Sequence, residues 1–402
     1  MSDLGLVADR MSIEHMSIAG VGAVTGYGWG REKLWSGLSG GKSAARMEPG
    51  YGAATASGWV ALVPDGGDPE VSSSRYGRAV HAAAAEAIDD ALGRGWRPGR
   101  TVGLVHGIVL GDVRHWRDFY LEAEGHYRSR EFLRLLPSTP VSVLMQEYGF
   151  TGPAMNVSAA CSSANVALVT AKLWLAAGIA DDVVCVTTDM SATPELLGHF
   201  VRMGAAVDDV EPLQACRPFQ EGSRGFGMGE ASVGFVLTRR VARSYAVVLG
   251  GAMTNDAHHV VSVHPDHTQI VECAQRALVD AGVSAEQVRY FNAHGTGTRQ
   301  CDRAERDLLA RVFADRPAIY AVKPLVGHCQ AASGGVEIAA TALGFEHGMV
   351  PAAPIVASAH PRLMDGPTVA EPGITAKLSL GMGGNNSMVV LAPPHVAGDT
   401  AH

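Results

Sequence analysis

The chain has 402 residues, of which 47% are hydrophobic and 18% are charged, and its formal net charge is −8. This composition excludes a disordered chain, and the negative charge gives no overall electrostatic signature for nucleic acid or an anionic membrane. The six cysteines form no Cys-x-x-Cys pair, and neither a secretory leader nor an apolar stretch of membrane-spanning length stands out. We therefore expect a cytoplasmic globular protein with reduced thiols, no membrane segment and no nucleic-acid partner.

Strand and helix patterns alternate along most of the chain, after a segment (1–16) that we expect to be disordered. The predicted strands are 17–24, 59–63, 101–110, 182–187, 245–252, 288–292, 319–322 and 387–391. The predicted helices are 79–92, 160–177, 268–281, 302–313 and 331–344. Because helix 160–177 has almost no charged face, we expect it to be central and buried. The alternation predicts an α/β fold whose sheets are covered by helices.

A cysteine stands at the start of the most apolar of these helices. The motif NVSAACSSANVA (156–167) places Cys161 after small residues, at or near the helix N-terminus. The dipole and free N–H groups at that end lower the pKa of a thiol, and small neighbours leave room for a substrate. The motif favours a nucleophile, although a single cysteine is more commonly a small buried side chain.

Two glycine-rich motifs lie next to predicted strands. NAHGTGT (292–298) ends a strand in His294, and its glycines permit the sharp turns found where α/β proteins place their active sites. GMGGNN (381–386) precedes the last strand and offers backbone N–H groups to an oxyanion. Taken singly, the first is compatible with a structural histidine and the second with a plain turn.

A second histidine lies between a lysine and a glutamate in KPLVGHCQAASGGVE (323–337). His328 follows Lys323 by five residues and comes just before a predicted helix that contains Glu337. We expect the lysine and the glutamate to pair and to orient groups around the histidine. Taken alone, a lysine near a histidine is more often an ordinary solvated charge.

Together and in this order, the four motifs resemble the β-ketoacyl-acyl carrier protein synthases, the ketosynthase branch of the thiolase-like superfamily. Further similar blocks are GVGAVTGYG (20–28), RPFQEGSRGFGMGE (217–230), DAHHVVSVHPD (256–266) and GMGGNNSMVVL (381–391). The resemblance implies a five-layered α-β-α-β-α thiolase fold with two pseudo-symmetric halves. These would be 17–245, with the nucleophile, and 246–402, with both histidines.

The resemblance also implies roles for individual residues. Cys161 would take an acyl group from a carrier protein, and His294 and His328 would aid malonyl decarboxylation and stabilise the enolate. Lys323 and Glu337 would support the second histidine. The N–H groups of Cys161 and Met382 would form the oxyanion hole. Two further residues would contact the phosphopantetheine arm, namely Thr296 and Thr298.

The function implied is a ketosynthase that extends acyl-Cys161 by decarboxylative Claisen condensation with a malonyl-carrier protein. Partners would be an acyl carrier protein and a second subunit, in a homodimer or in a heterodimer with a chain-length subunit. No metal or redox cofactor is expected, and the irregular spacing of the histidines in 256–267 does not favour a metal site.

Several positions depart from the family pattern, including Met382 where Phe is usual, Pro324 after the lysine, and Arg299-Gln300-Cys301 after the HGTGT motif. These departures favour a specialised polyketide or fatty-acid pathway over a housekeeping one. They also leave two alternatives open. One is an acyltransferase or cyclising enzyme that uses the same acyl-Cys161, and the other is a non-catalytic chain-length subunit.

Overall fold

The computed structural model describes residues 15–122, 129–241 and 243–394. Of the segment 1–16 that we expected to be disordered, residues 1–14 lie outside the described residues. The first strand begins at Met16. The strands are β1 (Met16–Thr25), β2 (Gly28–Trp29), β3 (Arg46–Glu48), β4 (Gly58–Val60), β5 (Val102–Gly107), β6 (Ala154–Val157), β7 (Asp182–Asp189), β8 (Ala231–Thr238), β9 (Ala246–Asn255), β10 (Tyr290–Asn292), β11 (Ala318–Tyr320), β12 (Met349–Pro351), β13 (Pro367–Val369), β14 (Thr375–Gly381) and β15 (Asn385–Ala392).

The α-helices are α1 (Arg31–Ser39), α2 (Arg75–Gly93), α3 (Val113–Glu122), α4 (Ser129–Leu135), α5 (Thr139–Tyr148), α6 (Ser163–Ala176), α7 (Pro194–Arg202), α8 (Pro212–Ala215), α9 (Thr268–Ala281), α10 (Arg299–Phe313), α11 (Lys323–Val326) and α12 (Ser333–His347). Short 3-10 turns are Ala53–Thr55, Ala285–Gln287 and Gln330–Ala332. The long periodic segments were predicted within a few residues, whereas β8, β14, α1, α3 to α5 and α7 were not predicted.

The main sheet consists of two groups of five strands with matching order and direction. The first group runs β6-β5-β7-β8-β1 and the second runs β11-β10-β14-β15-β9. In each group the first three strands are parallel, and the fourth is antiparallel to both of its neighbours. Antiparallel pairing of β1 with β9 joins the groups, and β2 pairs with β1. The proposed division of the chain at residue 245 stays a prediction.

Helices cover both groups and fill the space between them. Helix α2 packs on β1, β7 and β8, and α9 packs on β9 and β15. Helices α6 and α12 contact each other and contact strands of both groups. The layers are therefore α-β-α-β-α, as the resemblance implied.

The two central helices are apolar on nearly every side. Helix α12 is buried from Ser333 to Gly344, and a Cβ atom at Gly335 would lie 2.1 Å from Oγ1 of Thr187, so glycine allows the helix to approach β7. In α6, Nδ2 of Asn165 donates to main-chain oxygens of β14 and β15 at 3.3 Å. The prediction that helix 160–177 is central and buried is confirmed for its first part, but the helix begins only at Ser163, and Leu173 and Ala176 near its end are exposed.

None of the described helices has the length and hydropathy needed to cross a bilayer. All six cysteines are free and buried. Among the described residues, no three side chains of His, Cys, Asp or Glu come together in an arrangement that could hold a metal ion.

Candidate active site

Cys161 lies in a tight turn just before α6, and the surrounding contacts hold this turn in place. The preceding Ala160 has φ +49°, a left-handed conformation that is unfavourable for a residue with a side chain. Ser162 Oγ donates to the main-chain oxygens of Ser379 at 3.1 Å and of Asn385 at 2.6 Å. The turn is thereby attached to β14 and β15, so residues more than 200 positions apart define the site of the thiol.

Burial dominates the chemistry of the thiol. Only 5% of the surface of Cys161 is exposed, and burial raises the pKa of the thiol to about 12, despite the opposing effects of Lys323 and the Met382 N–H group. The pKa is raised overall because desolvation of the thiolate outweighs the favourable groups, whereas the expected lowering by the helix N-terminus stays a prediction. The protonated thiol donates to Oε1 of Gln330 at an S···O distance of 3.7 Å.

We predict that the rate at which iodoacetamide alkylates Cys161 rises about tenfold for each pH unit between pH 7 and 9. The rate should not reach a plateau in this range. The physical reason is that a thiol pKa of about 12 keeps the thiolate a small and still growing fraction in this range. Intact-protein mass spectrometry over time gives the rate, and Cys161→Ala reports the background from the other five cysteines. A plateau near pH 7 would show an activated thiolate and contradict the prediction.

The loop 381–384 packs directly against the nucleophile turn. A Cβ atom at Gly381 would lie 2.6 Å from the main-chain oxygen of Ala159, so only glycine permits this approach. The next residue, Met382, directs its main-chain N–H toward the sulfur of Cys161. The loop thus lies where an oxyanion next to Cys161 would need a donor, and the role of the two N–H groups as an oxyanion hole stays a prediction.

His294 is buried at the end of β10, and its position is held from both sides. The Glu305 carboxylate accepts the main-chain N–H of His294 at 2.6 Å and that of Gly295 at 3.0 Å. Lys323 Nζ donates to the main-chain oxygen of His294 at 2.5 Å and lies 3.4 Å from the ring Nδ1. Because an ammonium group only donates, Nδ1 must be the acceptor, and the ring carries its hydrogen on Nε2.

His328 follows the short helix α11 and faces the first histidine. Its Nδ1 accepts the main-chain N–H of Gln330 at 3.1 Å and lies 2.8 Å from Oγ of Ser333. The neutral ring therefore also carries its hydrogen on Nε2. Phe226 packs edge-on against this ring, with centroids 4.6 Å apart.

The two imidazole rings stand nearly perpendicular, at 85°, with centroids 5.8 Å apart. Burial lowers the pKa of both rings well below the ordinary value, and the positive charge of Lys323 lowers it further. Both histidines are thus neutral N–H donors at physiological pH. Two such donors in a dry site can stabilise negative charge that develops on a substrate oxygen.

A buried charge network lies behind His294. The expected pair is present, since Nζ of Lys323 lies 2.5 Å from Oε1 of Glu337. A second lysine, Lys377 on β14, approaches Oε2 of the same glutamate at 2.7 Å. Burial lowers the pKa of Lys377 to about 8, with Lys323 acting in the same direction against the opposing effect of Glu337. One carboxylate therefore faces two buried amines.

Six of the predicted site residues line one cavity of about 390 Å³, namely Cys161, His294, Thr296, Thr298, His328 and Met382. The two threonine hydroxyls lie 2.9 Å apart. The remaining predicted residues, Lys323 and Glu337, do not line the cavity. The hydrogen bonds of Lys323 go to His294 and Glu337, so the prediction that the pair lies beside the second histidine is corrected to the first. Sequence reasoning missed Glu305, Gln330 and Lys377, although Gln330 stands inside a motif that it singled out.

Comparison with known proteins identifies the family of this chain. Two family models match the chain, the N-terminal domain of beta-ketoacyl synthase over residues 69–242 and its C-terminal domain over residues 245–356. The chain belongs to the beta-ketoacyl synthase family. Members of this family are acyltransferases of the 3-oxoacyl-[acyl-carrier-protein] synthase type.

Relatives come from both polyketide and fatty-acid biosynthesis. The tetracenomycin polyketide synthase ketoacyl synthase alpha subunit of Streptomyces glaucescens is 31% identical, over 96% of this chain and 98% of that protein. The chloroplastic 3-oxoacyl-[acyl-carrier-protein] synthase II of Arabidopsis thaliana is 34% identical over 63% of this chain, and the match spans about half, 49%, of that protein. Nodulation protein E of Rhizobium meliloti is 30% identical over 83% of this chain and 87% of that protein.

Solved ketosynthases have the same fold. One is a type II polyketide synthase acyl-carrier protein in complex with its ketosynthase, with a TM-score of 0.83 at 24% identity over 94% of this chain and 99% of that chain. The ishigamide ketosynthase/chain length factor has the same TM-score, the same identity and the same coverage of both chains. The beta-ketoacyl synthase chain therefore has the thiolase-like ketosynthase fold.

Proposed function

We propose that this protein is a ketosynthase that carries an acyl chain on Cys161 and extends it by two carbons with a malonyl-carrier protein, in polyketide or specialised fatty-acid biosynthesis. The observation that carries the proposal is the placement of the Cys161 thiol and two neutral imidazole rings around one cavity. A purely non-catalytic chain-length subunit would not need this set of groups.

The first half-reaction is a thioester exchange. The sulfur of Cys161 attacks the carbonyl carbon of an acyl thioester, and the carrier thiol leaves with the proton that the cysteine loses. The oxyanion formed on the way would be bound by the N–H groups of Cys161 and Met382. The product is again a thioester, so the acyl group stays activated for transfer.

The second half-reaction forms a carbon–carbon bond. The malonyl thioester loses carbon dioxide, and the electrons of the broken bond become an enolate whose oxygen faces the Nε2–H groups of His294 and His328. The enolate carbon then attacks the acyl carbonyl carbon and expels Cys161 as a thiolate, which takes up a proton from water to regenerate the thiol. The released product is a 3-oxoacyl thioester that is two carbons longer.

Neither step uses a metal ion or a redox cofactor, so we propose that the protein needs none. We further propose that its substrates arrive on the phosphopantetheine arm of an acyl carrier protein, past Thr296 and Thr298 at the cavity wall. Solved relatives include a ketosynthase in complex with its carrier protein and one with a chain length factor. The second complex supports a heterodimer with a chain-length subunit, and a homodimer is the alternative that we propose. We further propose that the protein acts in the cytoplasm, where free thiols stay reduced.

The test is intact-protein mass spectrometry of the wild type and Cys161→Ala, incubated first with an acyl-carrier protein and then with a malonyl-carrier protein. We expect an acyl adduct on the wild type only, discharged by the malonyl donor into a product extended by two carbons. An adduct that forms but is not discharged by the malonyl donor would favour acyl transfer or cyclisation instead. Absence of an adduct with every donor would contradict the proposal.

A further inference from the structure

Gln330 lies between the nucleophile and the second histidine. It begins a 3-10 turn two residues after His328, it lines the cavity, and only 5% of its surface is exposed. Oε1 of its carboxamide accepts the hydrogen of the Cys161 thiol, at 3.7 Å. Its main-chain N–H donates to Nδ1 of His328 at 3.1 Å. The carboxamide is therefore directly beside the atom that carries the acyl chain.

Two features of Gln330 are energetically unfavourable unless something compensates for them. Its φ is +42°, in the left-handed region that residues with side chains rarely adopt. Its Nε2 is buried and has no hydrogen-bond partner within the described part of the chain. Since buried amides are almost always paired, this N–H2 group calls for a partner that enters the cavity.

Formation of the acyl-enzyme leaves a second atom of the Gln330 carboxamide without a hydrogen-bond partner. The sulfur loses its hydrogen, so Oε1 of Gln330 loses its donor while Nε2 still lacks an acceptor. A water molecule can occupy the cavity in the free enzyme, but an acyl chain must displace it. A saturated chain offers nothing in exchange, whereas an oxygen on the chain restores a hydrogen bond.

We propose that Gln330 is a specificity-determining residue that favours acyl donors with an oxygen on carbon 3, as a ketone or a hydroxyl. The inference rests on the proposed function, since it concerns the acyl chain on Cys161. The thioester oxygen belongs to the predicted oxyanion hole, so the oxygen on carbon 3 is the nearest further acceptor along the chain. Nε2 shares its carbon with the atom that contacts the sulfur, so it lies close to this part of the chain.

The experiment is a competition between two donors of equal length, the butyryl and 3-oxobutyryl thioesters of N-acetylcysteamine. The ratio of the two adducts on Cys161 is read by intact-protein mass spectrometry, in the wild type and in Gln330→Met. We expect the ratio of 3-oxo to saturated adduct to fall at least about tenfold in the variant, because a site that binds a polar group rejects the analogue lacking it. A 3-hydroxybutyryl donor should show the same dependence on Gln330.

The control variant is Gln300→Met, which removes another carboxamide from the same cavity wall. The Gln300 side chain accepts the main-chain N–H of Val263 at 3.4 Å, and we expect its replacement to keep the wild-type ratio. A ratio measured within one sample does not depend on the folded fraction, and Gln330→Leu replaces the methionine variant if that is insoluble. Equal ratios in the wild type and the Gln330 variant would overturn this inference and leave the proposed function intact. Absence of any adduct on the wild type would overturn both.

Discussion

Glu337→Gln is expected to lower the free energy of unfolding by about 3–5 kcal/mol, the usual effect of leaving a buried charge without its partner. Glutamine has nearly the same shape, so the change removes charge and little volume. Both Lys323 and Lys377 approach this carboxylate and are fully buried, so the variant leaves two amines without the carboxylate that contacts them. Urea denaturation at pH 7 measures the loss, and a loss below about 1 kcal/mol would contradict the assignment.

The matched control is Lys377→Met, which removes the second amine and leaves the pair of Lys323 with Glu337 intact. We expect it to lower the free energy of unfolding by less than Glu337→Gln does, and we expect the double variant to be more stable than the sum of the two single effects predicts.

The pH dependence of stability gives a further check. Because the pKa of Lys377 is lowered to about 8 from 10.5, the unfolded chain binds more protons between these values. The stability of the wild type relative to Lys377→Met should therefore rise from pH 8 to 10.5.

His294→Ala and His328→Ala are each expected to slow malonyl decarboxylation by about 10²–10³-fold, the usual cost of removing one donor from a charge-stabilising site. Each ring presents a neutral Nε2–H group near the cavity, fixed by contacts at Nδ1. Carbon dioxide release from a malonyl thioester measures the rate. Acylation of Cys161 by a small acyl thioester should fall by far less, because its oxyanion would be bound by main-chain N–H groups.

The control for these two variants is His267→Ala, which removes a buried histidine outside the cavity. His267 Nδ1 lies 3.0 Å from Oδ2 of Asp307, so its loss removes a hydrogen bond to α10 and is not expected to affect the reaction. Equal losses of acylation and decarboxylation in the His294 and His328 variants would indicate a general structural defect. A decarboxylation rate close to that of the wild type would exclude the assigned role.

Motif reasoning selected six residues that line one cavity, because the glycines and small residues around them are local requirements. The glycine at 381 is needed where the loop meets the nucleophile turn, and the apolar sequence of α6 already indicates a helix that is largely buried. Lys377 could not be found in this way. It lies within a short strand, TAKLSLG, whose pattern gives no sign that both faces are buried. Only the packing of β14 against the central helices places its amine beside Glu337.

By itself, the sequence determined the α/β architecture, the central helix and the residues that meet at the site, because periodicity, turn residues and local motifs are properties of neighbouring positions. The tertiary structure decided the protonation of that site. Whether Cys161 is a thiol or a thiolate depends on desolvation by residues from distant segments, and the contacts at Nδ1 of His294 and His328 select the hydrogen on Nε2. Burial and hydrogen bonding arise only when remote parts of the chain pack together, and they set the electrostatic energy of each group.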